Sequence, residues 1–140
     1  MAYEEKGAWS YLVVTVGAFA AYLAVILGRE RPLAEVSYVP AMLWTIGGAI
    51  VASILLRIIL AIASPKDAGK MDQRDREINR FGDYVGQSFV VVGGVGAMVL
   101  SWVEADHFWI ANEIYLTFVL SAILGSVTKI IAYRRGFQQW

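Results

Sequence analysis

Long apolar stretches separated by short polar ones dominate this chain. Across the four apolar stretches the only charged side chains are Arg57, Glu113 and Lys129. A helix that crosses a hydrocarbon core about 30 Å thick needs roughly 20 mostly apolar residues, because it rises about 1.5 Å per residue. The pattern therefore predicts one transmembrane domain over residues 1–140, with a hydrophilic loop over 64–83 between its second and third spans. The predicted spans cover about 8–28, 39–63, 84–103 and 108–133.

Short connections join the first span to the second and the third span to the fourth. Helices joined by few residues pack side by side, so the spans form two antiparallel hairpins. The predicted fold class is all-α: a membrane-embedded four-helix bundle of two antiparallel hairpins, with a cytoplasmic juxtamembrane extension of the third helix.

Composition agrees with a membrane protein and excludes several kinds of site. Hydrophobic residues make up 58% of the chain and charged residues only 17%, which is outside the range of ordinary soluble domains. The chain has no cysteine and one histidine, so a disulfide, a thiolate metal site, a cysteine nucleophile and a bis-histidine haem are excluded. We predict no cofactor, metal or catalytic residue, and no enzyme activity.

The basic residues are distributed unequally between the two sides of the predicted membrane domain. Nine lie on the side of the termini and the middle loop, and two lie on the other. Because basic residues in short loops stay on the cytoplasmic side, we predict a multi-pass protein of the cell membrane with both termini in the cytoplasm. A formal net charge of zero gives no support for nucleic-acid binding. The nine are Lys6, Lys66, Lys70, Arg74, Arg76, Arg80, Lys129, Arg134 and Arg135; the two are Arg29 and Arg31.

Small residues line one side of the third span. Gly82, Gly86, Gly93 and Ala97 recur at three- to four-residue multiples, and such faces let helix backbones approach closely in lipid. Every span has a face of this kind, which favours packing inside the bundle. A homodimer interface is the alternative interpretation.

The two hairpins are distantly alike in sequence. Aligning the second span with the fourth places Thr45 on Thr117 and Arg57 on Lys129. Chance similarity is common between apolar spans, and a true duplication is the alternative. A duplication predicts a pseudo-twofold axis along the membrane normal.

The middle loop contains the start of a helix. Asp72 and Asp75 place acids where a helix amino terminus favours them, and Ile78, Phe81 and Val85 repeat at helical spacing. We therefore predict a juxtamembrane helix that begins at about Asp72 and runs straight into the third span.

This segment also resembles one in a known family. Residues 72–83 read D-Q-R-D-R-E-I-N-R-F-G-D, and they are similar to an Asp-x-Arg-Asp-x-x-Ile segment ahead of the third span in small, uncharacterised prokaryotic integral membrane proteins. The resemblance implies a four-span fold and brings no assigned reaction. Gln73 stands where other members often have a second acid. The matching residues are Asp72, Arg74, Asp75, Arg76, Ile78, Gly82 and Asp83.

Ionisable residues at membrane depth are functional candidates because they are costly there. One hypothesis is an ion pair in which Asp83 neutralises Arg57 and ties the hairpins together. The alternative is that Arg57 and Lys129 extend their charges to water unaided, as long basic side chains do near a membrane boundary.

Three carboxylates and one imidazole lie near the predicted outer side of the membrane domain. They surround the start of the fourth span, where acids stabilise a helix amino terminus without any ligand. These residues are Glu104, Asp106, His107 and Glu113. A metal or proton site is the alternative. Glu113 is the deepest member and the candidate for proton exchange.

The leading functional hypothesis is non-enzymatic. A charged cytoplasmic segment that continues into a closely packing span suits docking, scaffolding or regulation of a cytoplasmic or membrane protein, with Asp72, Arg74, Asp75 and Arg76 as the contact residues. The alternative is a small dimeric transporter or proton-coupled exporter that uses Glu113.

Overall fold

The computed structural model describes residues 3–28, 38–66 and 72–135. These residues form four long α-helices, each long and apolar enough to cross a membrane. The prediction of an all-α, four-helix membrane protein is confirmed. The helices are α1 (Tyr3–Leu27), α2 (Val39–Ala63), α3 (Gln73–Trp102) and α4 (His107–Arg135).

Contacting helices run antiparallel. The start of α1 meets the last turns of α2 and α4 through ion pairs, and the start of α3 meets the end of α4 through Asp75 and Tyr133. One end of the bundle therefore carries Arg57, Lys129 and Arg134, and we call it the basic end. The opposite end, where α3 turns into α4, is called the hairpin end.

Helices α1 and α4 occupy the middle of the bundle. They pack on each other, α2 packs on α1, and α3 packs on α4 most extensively of all. In contrast, α2 and α3 scarcely contact each other, and α2 has no fully buried residue. A pseudo-twofold axis relating the hairpins would make α2 pack on α3 as α1 packs on α4, which the described helices do not show. Because α2 and α3 scarcely contact each other, the bundle is open between them.

Glycines bring α3 and α4 together. Gly82, Gly86 and Gly93 are buried against α4, and a Cβ at Gly86 would lie 2.9 Å from the backbone oxygen of Ser121. Ala97, on the same side, is partly buried. The small-residue face of α3 thus serves packing within the chain, because α4 already covers it.

A polar and aromatic core joins α1 to α4 near the hairpin end. Tyr22, only 1% exposed, donates a hydrogen bond to Asn112 Oδ1, and its ring lies 4.9 Å from the ring of Tyr115. The Tyr115 and Thr45 hydroxyls are 2.9 Å apart, which links α4 to α2. These bonds satisfy polar groups that lipid would leave unpaired.

Helix α3 is longer than its span because it starts with a strong cap. The Asp72 side chain accepts from the Asp75 backbone amide at 2.7 Å, and Asp75 Oδ2 accepts from the Asp72 amide at 3.3 Å. This reciprocal arrangement, a capping box, satisfies two amides that the first helical turn leaves unpaired. The predicted extension is therefore continuous with the third span.

Candidate functional site: a cleft at the basic end

Two cations at the basic end pair with acids of their own hairpin. Arg57 Nη2 on α2 lies 3.4 Å from Glu4 Oε2 on α1, and Lys129 Nζ on α4 lies 2.9 Å from Asp83 Oδ1 on α3. The Arg57–Asp83 pair, one of the two hypotheses from the sequence, is not among the ion pairs of the described residues, and Arg57 lies on the helix that packs against α1 and scarcely contacts α3. Lys129, for which the other hypothesis was unaided access to water, has Asp83 as its partner.

A third ion pair connects the hairpins. Arg134 Nε on α4 lies 3.3 Å from Glu5 Oε2 on α1, and the Arg134 guanidinium lies over the Trp9 ring. Glu5 is buried, and the contact has the distance of an ion pair without the geometry of a hydrogen bond. The tie that the sequence suggested for Asp83 is made by Glu5.

In each hairpin the basic side chain lies against a glycine of the neighbouring helix. A Cβ at Gly7 would overlap the Arg57 guanidinium, and a Cβ at Gly82 would lie 2.7 Å from Lys129 Cε. The repeated arrangement involves the two cations that align in sequence. A Cβ at Gly82 would also lie 2.9 Å from the Gly125 backbone oxygen, so a larger residue there would force the helices apart, whereas at Gly7 only the flexible end of the Arg57 side chain would have to shift.

A charged cavity lies between the four helices at this level. It has a volume of about 340 Å³, and residues of all four helices line it. Both of the first two ion pairs face this cavity, so two cations and two acids surround one space. The charged lining residues are Glu4, Arg57, Asp83 and Lys129.

Two further cavities extend the charged one. The first, of about 330 Å³, lies between α1, α2 and α4 and shares Tyr11 and Ser53 with the charged cavity; its walls are mainly apolar. The second, of about 290 Å³, runs along α3 and α4 and shares Tyr11, Asp83 and Lys129. We call the three together the cleft. Volumes of this size are typical of small-molecule sites.

The cleft is amphipathic along its length. On α2 it is lined from Arg57 to Ile46, with Ile54, Ile50 and Ala49 between them. At about 1.5 Å per residue this wall is roughly 16 Å long, close to the depth of one leaflet in a hydrocarbon core of about 30 Å. Along this wall one end therefore presents charge and the rest presents mainly hydrocarbon, over a length close to the depth of one leaflet.

Several polar groups in the cleft have unused bonding capacity. Asp83 is paired through one oxygen, yet its side chain is 75% exposed, and the side chain of Arg57 is 45% exposed. In the part of the chain that the structure describes, the Asn79 and Gln87 amides have no hydrogen-bond partner. Asn79, Asp83 and Gln87 are four residues apart, so one side of α3 carries a polar stripe into the span.

The sequence carries a signal for this polar stripe, namely the spacing of its three residues. Asparagine, aspartate and glutamine at four-residue intervals mark one helix face, and that face lines the cleft. Glu4 and Tyr11 had no comparable signal. They lie in the cleft because α1 packs between α2 and α4.

The four residues predicted to contact a partner serve mainly the start of α3. Arg74 Nη2 donates to the Tyr133 backbone oxygen at 3.4 Å, and the guanidinium lies 5.5 Å from the Tyr133 ring centre. The Tyr133 hydroxyl donates to Asp75 Oδ1 at 2.6 Å, and Asp72 is the cap described above. Arg76 is exposed and makes none of these contacts.

Glu113 lies between α3 and α4. Its Oε1 accepts a long, 3.5 Å hydrogen bond from Thr117 and faces Gly96, while its Oε2 is buried without a partner. Glu113 lines none of the three cavities of the cleft. Within residues 3–28, 38–66 and 72–135, no three His, Cys, Asp or Glu side chains come together to hold a metal ion.

Comparison with known proteins gives no match, whether to family models, to curated sequences or to solved structures. The resemblance of residues 72–83 to the small prokaryotic family therefore stays a prediction. Fold and site together define a class: a multi-pass, four-helix membrane protein with an amphipathic cleft at its basic end.

Proposed function

We propose that this protein is a non-enzymatic component of the cell membrane that binds one membrane amphiphile in the cleft. The observation that carries the proposal is the continuity of the charged cavity with the apolar one through Tyr11 and Ser53. A polar headgroup fits the charged end, and an acyl chain fits the wall from Ile54 to Ile46. The length of that wall, about one leaflet, supports this assignment.

The proposed orientation follows the basic residues. With both termini and the 64–83 segment in the cytoplasm, the basic end lies at the cytoplasmic surface, as lysine and arginine in short loops favour. The headgroup is then one from the cytoplasmic leaflet. The scarcity of contact between α2 and α3 supports entry from the side, with the ligand sliding between these helices out of the leaflet.

The hypothesis of docking through Asp72, Arg74, Asp75 and Arg76 stays a prediction. Three of these residues have structural partners, which leaves Arg76 with the clearest freedom to contact another protein. Export through Glu113 has less support, because its carboxylate faces Gly96 between packed helices and not a cavity.

Lipid retention tests the proposal. The full chain is purified in a detergent that removes loosely bound lipid, and the phospholipid that stays bound is counted by native mass spectrometry. We expect one phospholipid per wild-type chain. Ala49→Trp, which fills the apolar wall, should abolish retention. Val51→Trp is the matched control, because Val51 is 57% exposed on the other side of α2 and does not line the cleft.

Either of two results would refute lipid binding in the cleft. In one, wild-type protein retains no phospholipid; in the other, the two tryptophan variants retain it equally. Circular dichroism and gel filtration of both variants establish that they are folded. If Ala49→Trp does not fold, Ala122→Phe fills the same cavity from α4, with Leu120→Phe as its control.

A further inference from the structure

The charges at the end of the cleft sum to zero. Arg57 and Lys129 contribute two positive charges, and Glu4 and Asp83 contribute two negative ones, all around one cavity of about 340 Å³. A purely anionic headgroup would lie close to the exposed Asp83 carboxylate and be repelled by it. A purely cationic headgroup would be repelled by both basic residues. A ligand that carries both signs is attracted by both sets.

The positive side of this cavity suits a phosphate. Arg57 donates one hydrogen bond, from Nη2 to Glu4, and a guanidinium has five N–H donors in a planar fork that fits phosphate oxygens. Lys129 has three donors, and its Nζ forms an ion pair with a single Asp83 oxygen at 2.9 Å. Both cations therefore keep donors for a second anion while they remain paired.

The negative side suits a primary ammonium. Asp83 uses Oδ1 on Lys129, and its side chain is 75% exposed, so Oδ2 remains available to accept an N–H. A quaternary ammonium has no N–H to donate and is bound by cages of several aromatic rings. Tyr11 is the one aromatic residue that lines the charged cavity among the residues described.

We infer that the ligand is a phospholipid whose headgroup carries a phosphate and a primary ammonium, with the phosphate on Arg57 and the ammonium on Asp83. This inference rests on the proposed function. The Asn79 and Gln87 amides flank Asp83 on the same side of α3 and supply further hydrogen-bonding groups to the headgroup.

Lipid competition tests the inference. Wild-type protein in nanodiscs is exposed to phosphatidylethanolamine, phosphatidylglycerol and phosphatidylcholine with identical acyl chains, and bound lipid is identified by mass spectrometry. We expect phosphatidylethanolamine to be preferred about tenfold over each of the others, the factor set by one hydrogen bond to a charged group. Soluble glycerophosphoethanolamine should not displace the lipid, because it lacks the acyl chains.

Two substitutions separate the halves of the headgroup. Asp83→Asn should remove the preference over phosphatidylglycerol while lipid is still retained, whereas Asp83→Glu should keep it. Arg57→Gln should weaken binding of both phosphatidylethanolamine and phosphatidylglycerol. Glu104→Gln, at the hairpin end, is the control and should change nothing. If Asp83→Asn does not fold, the inference is still tested by the preference of the wild-type protein for phosphatidylethanolamine and by whether Asp83→Glu keeps that preference.

The outcomes distinguish this inference from the proposed function. If phosphatidylglycerol or phosphatidylcholine binds as well as phosphatidylethanolamine, and Ala49→Trp still abolishes retention, the headgroup assignment is overturned while the cleft remains a lipid site. The headgroup assignment is also overturned if Asp83→Asn keeps the full preference for phosphatidylethanolamine. If wild-type protein retains no lipid at all, both are overturned.

Discussion

Alanine at Gly86 should separate the most closely packed helices of the bundle. The added Cβ would lie 2.9 Å from the Ser121 backbone oxygen and 3.0 Å from its hydroxyl, whereas ordinary contact begins at 3.4 Å. The difference, 3.4 − 2.9 = 0.5 Å, cannot be taken up by a rotamer change, because the nearer atom belongs to the backbone. Helix α4 must therefore move away from α3.

The energetic cost follows from that displacement. A gap of about 0.5 Å forfeits roughly a quarter of the dispersion energy of each contact that it opens. Overpacking of this kind typically costs about 1–3 kcal/mol in the free energy of unfolding. Gly94→Ala is the matched control on the same helix, since a Cβ there meets nothing within 4 Å. It should be neutral or stabilise α3 by up to about 1 kcal/mol through helix propensity.

Reversible unfolding with sodium dodecyl sulfate in mixed micelles, followed by circular dichroism, measures both free energies. We expect the order Gly94→Ala, wild type, Gly86→Ala, from most to least stable. Equal stabilities for the two alanine variants would refute the close approach of α3 to Ser121 and with it the packing of the second hairpin.

Three further substitutions test other parts of the bundle by the same unfolding measurement or by hydrogen exchange. Tyr22→Phe removes the hydrogen bond to Asn112 and should lower the free energy of unfolding by about 0.6–1.7 kcal/mol, the range for interhelical hydrogen bonds in membranes; no loss would argue against that bond. Glu104→Gly should raise stability by about 1 kcal/mol, because Glu104 has a φ of 57°, in the left-handed region where a side chain is strained. Tyr133→Phe should speed amide exchange in the first turn of α3, since the bond to Asp75 is lost while the ring remains; unchanged rates would contradict that contact.

Only part of the cleft could be predicted from the sequence. Arg57 and Asp83 were identified as candidates because charge at membrane depth is costly, and both line the charged cavity. The hypothesis paired them with each other, whereas the structure pairs Arg57 with Glu4 and Asp83 with Lys129. The depth of a residue follows from counting along its own helix, but pairing depends on which helices are neighbours and how each is rotated. Similar residues at one depth, such as Arg57 and Lys129, leave several pairings equally compatible with the sequence.

The amino-acid sequence by itself determined the number and length of the helices and the start of α3. Lipid offers no hydrogen bonds to the backbone, so an apolar stretch of this length must satisfy its own amides as a helix, and Asp72 with Asp75 caps α3 about ten residues ahead of its span. Only the tertiary structure decided that α2 and α3 stay apart and leave a cleft. That arrangement depends on the tight glycine contact of α3 with α4 and on the position of α1 beside α4, and contacts between helices distant in the chain have no counterpart in the local pattern of residues.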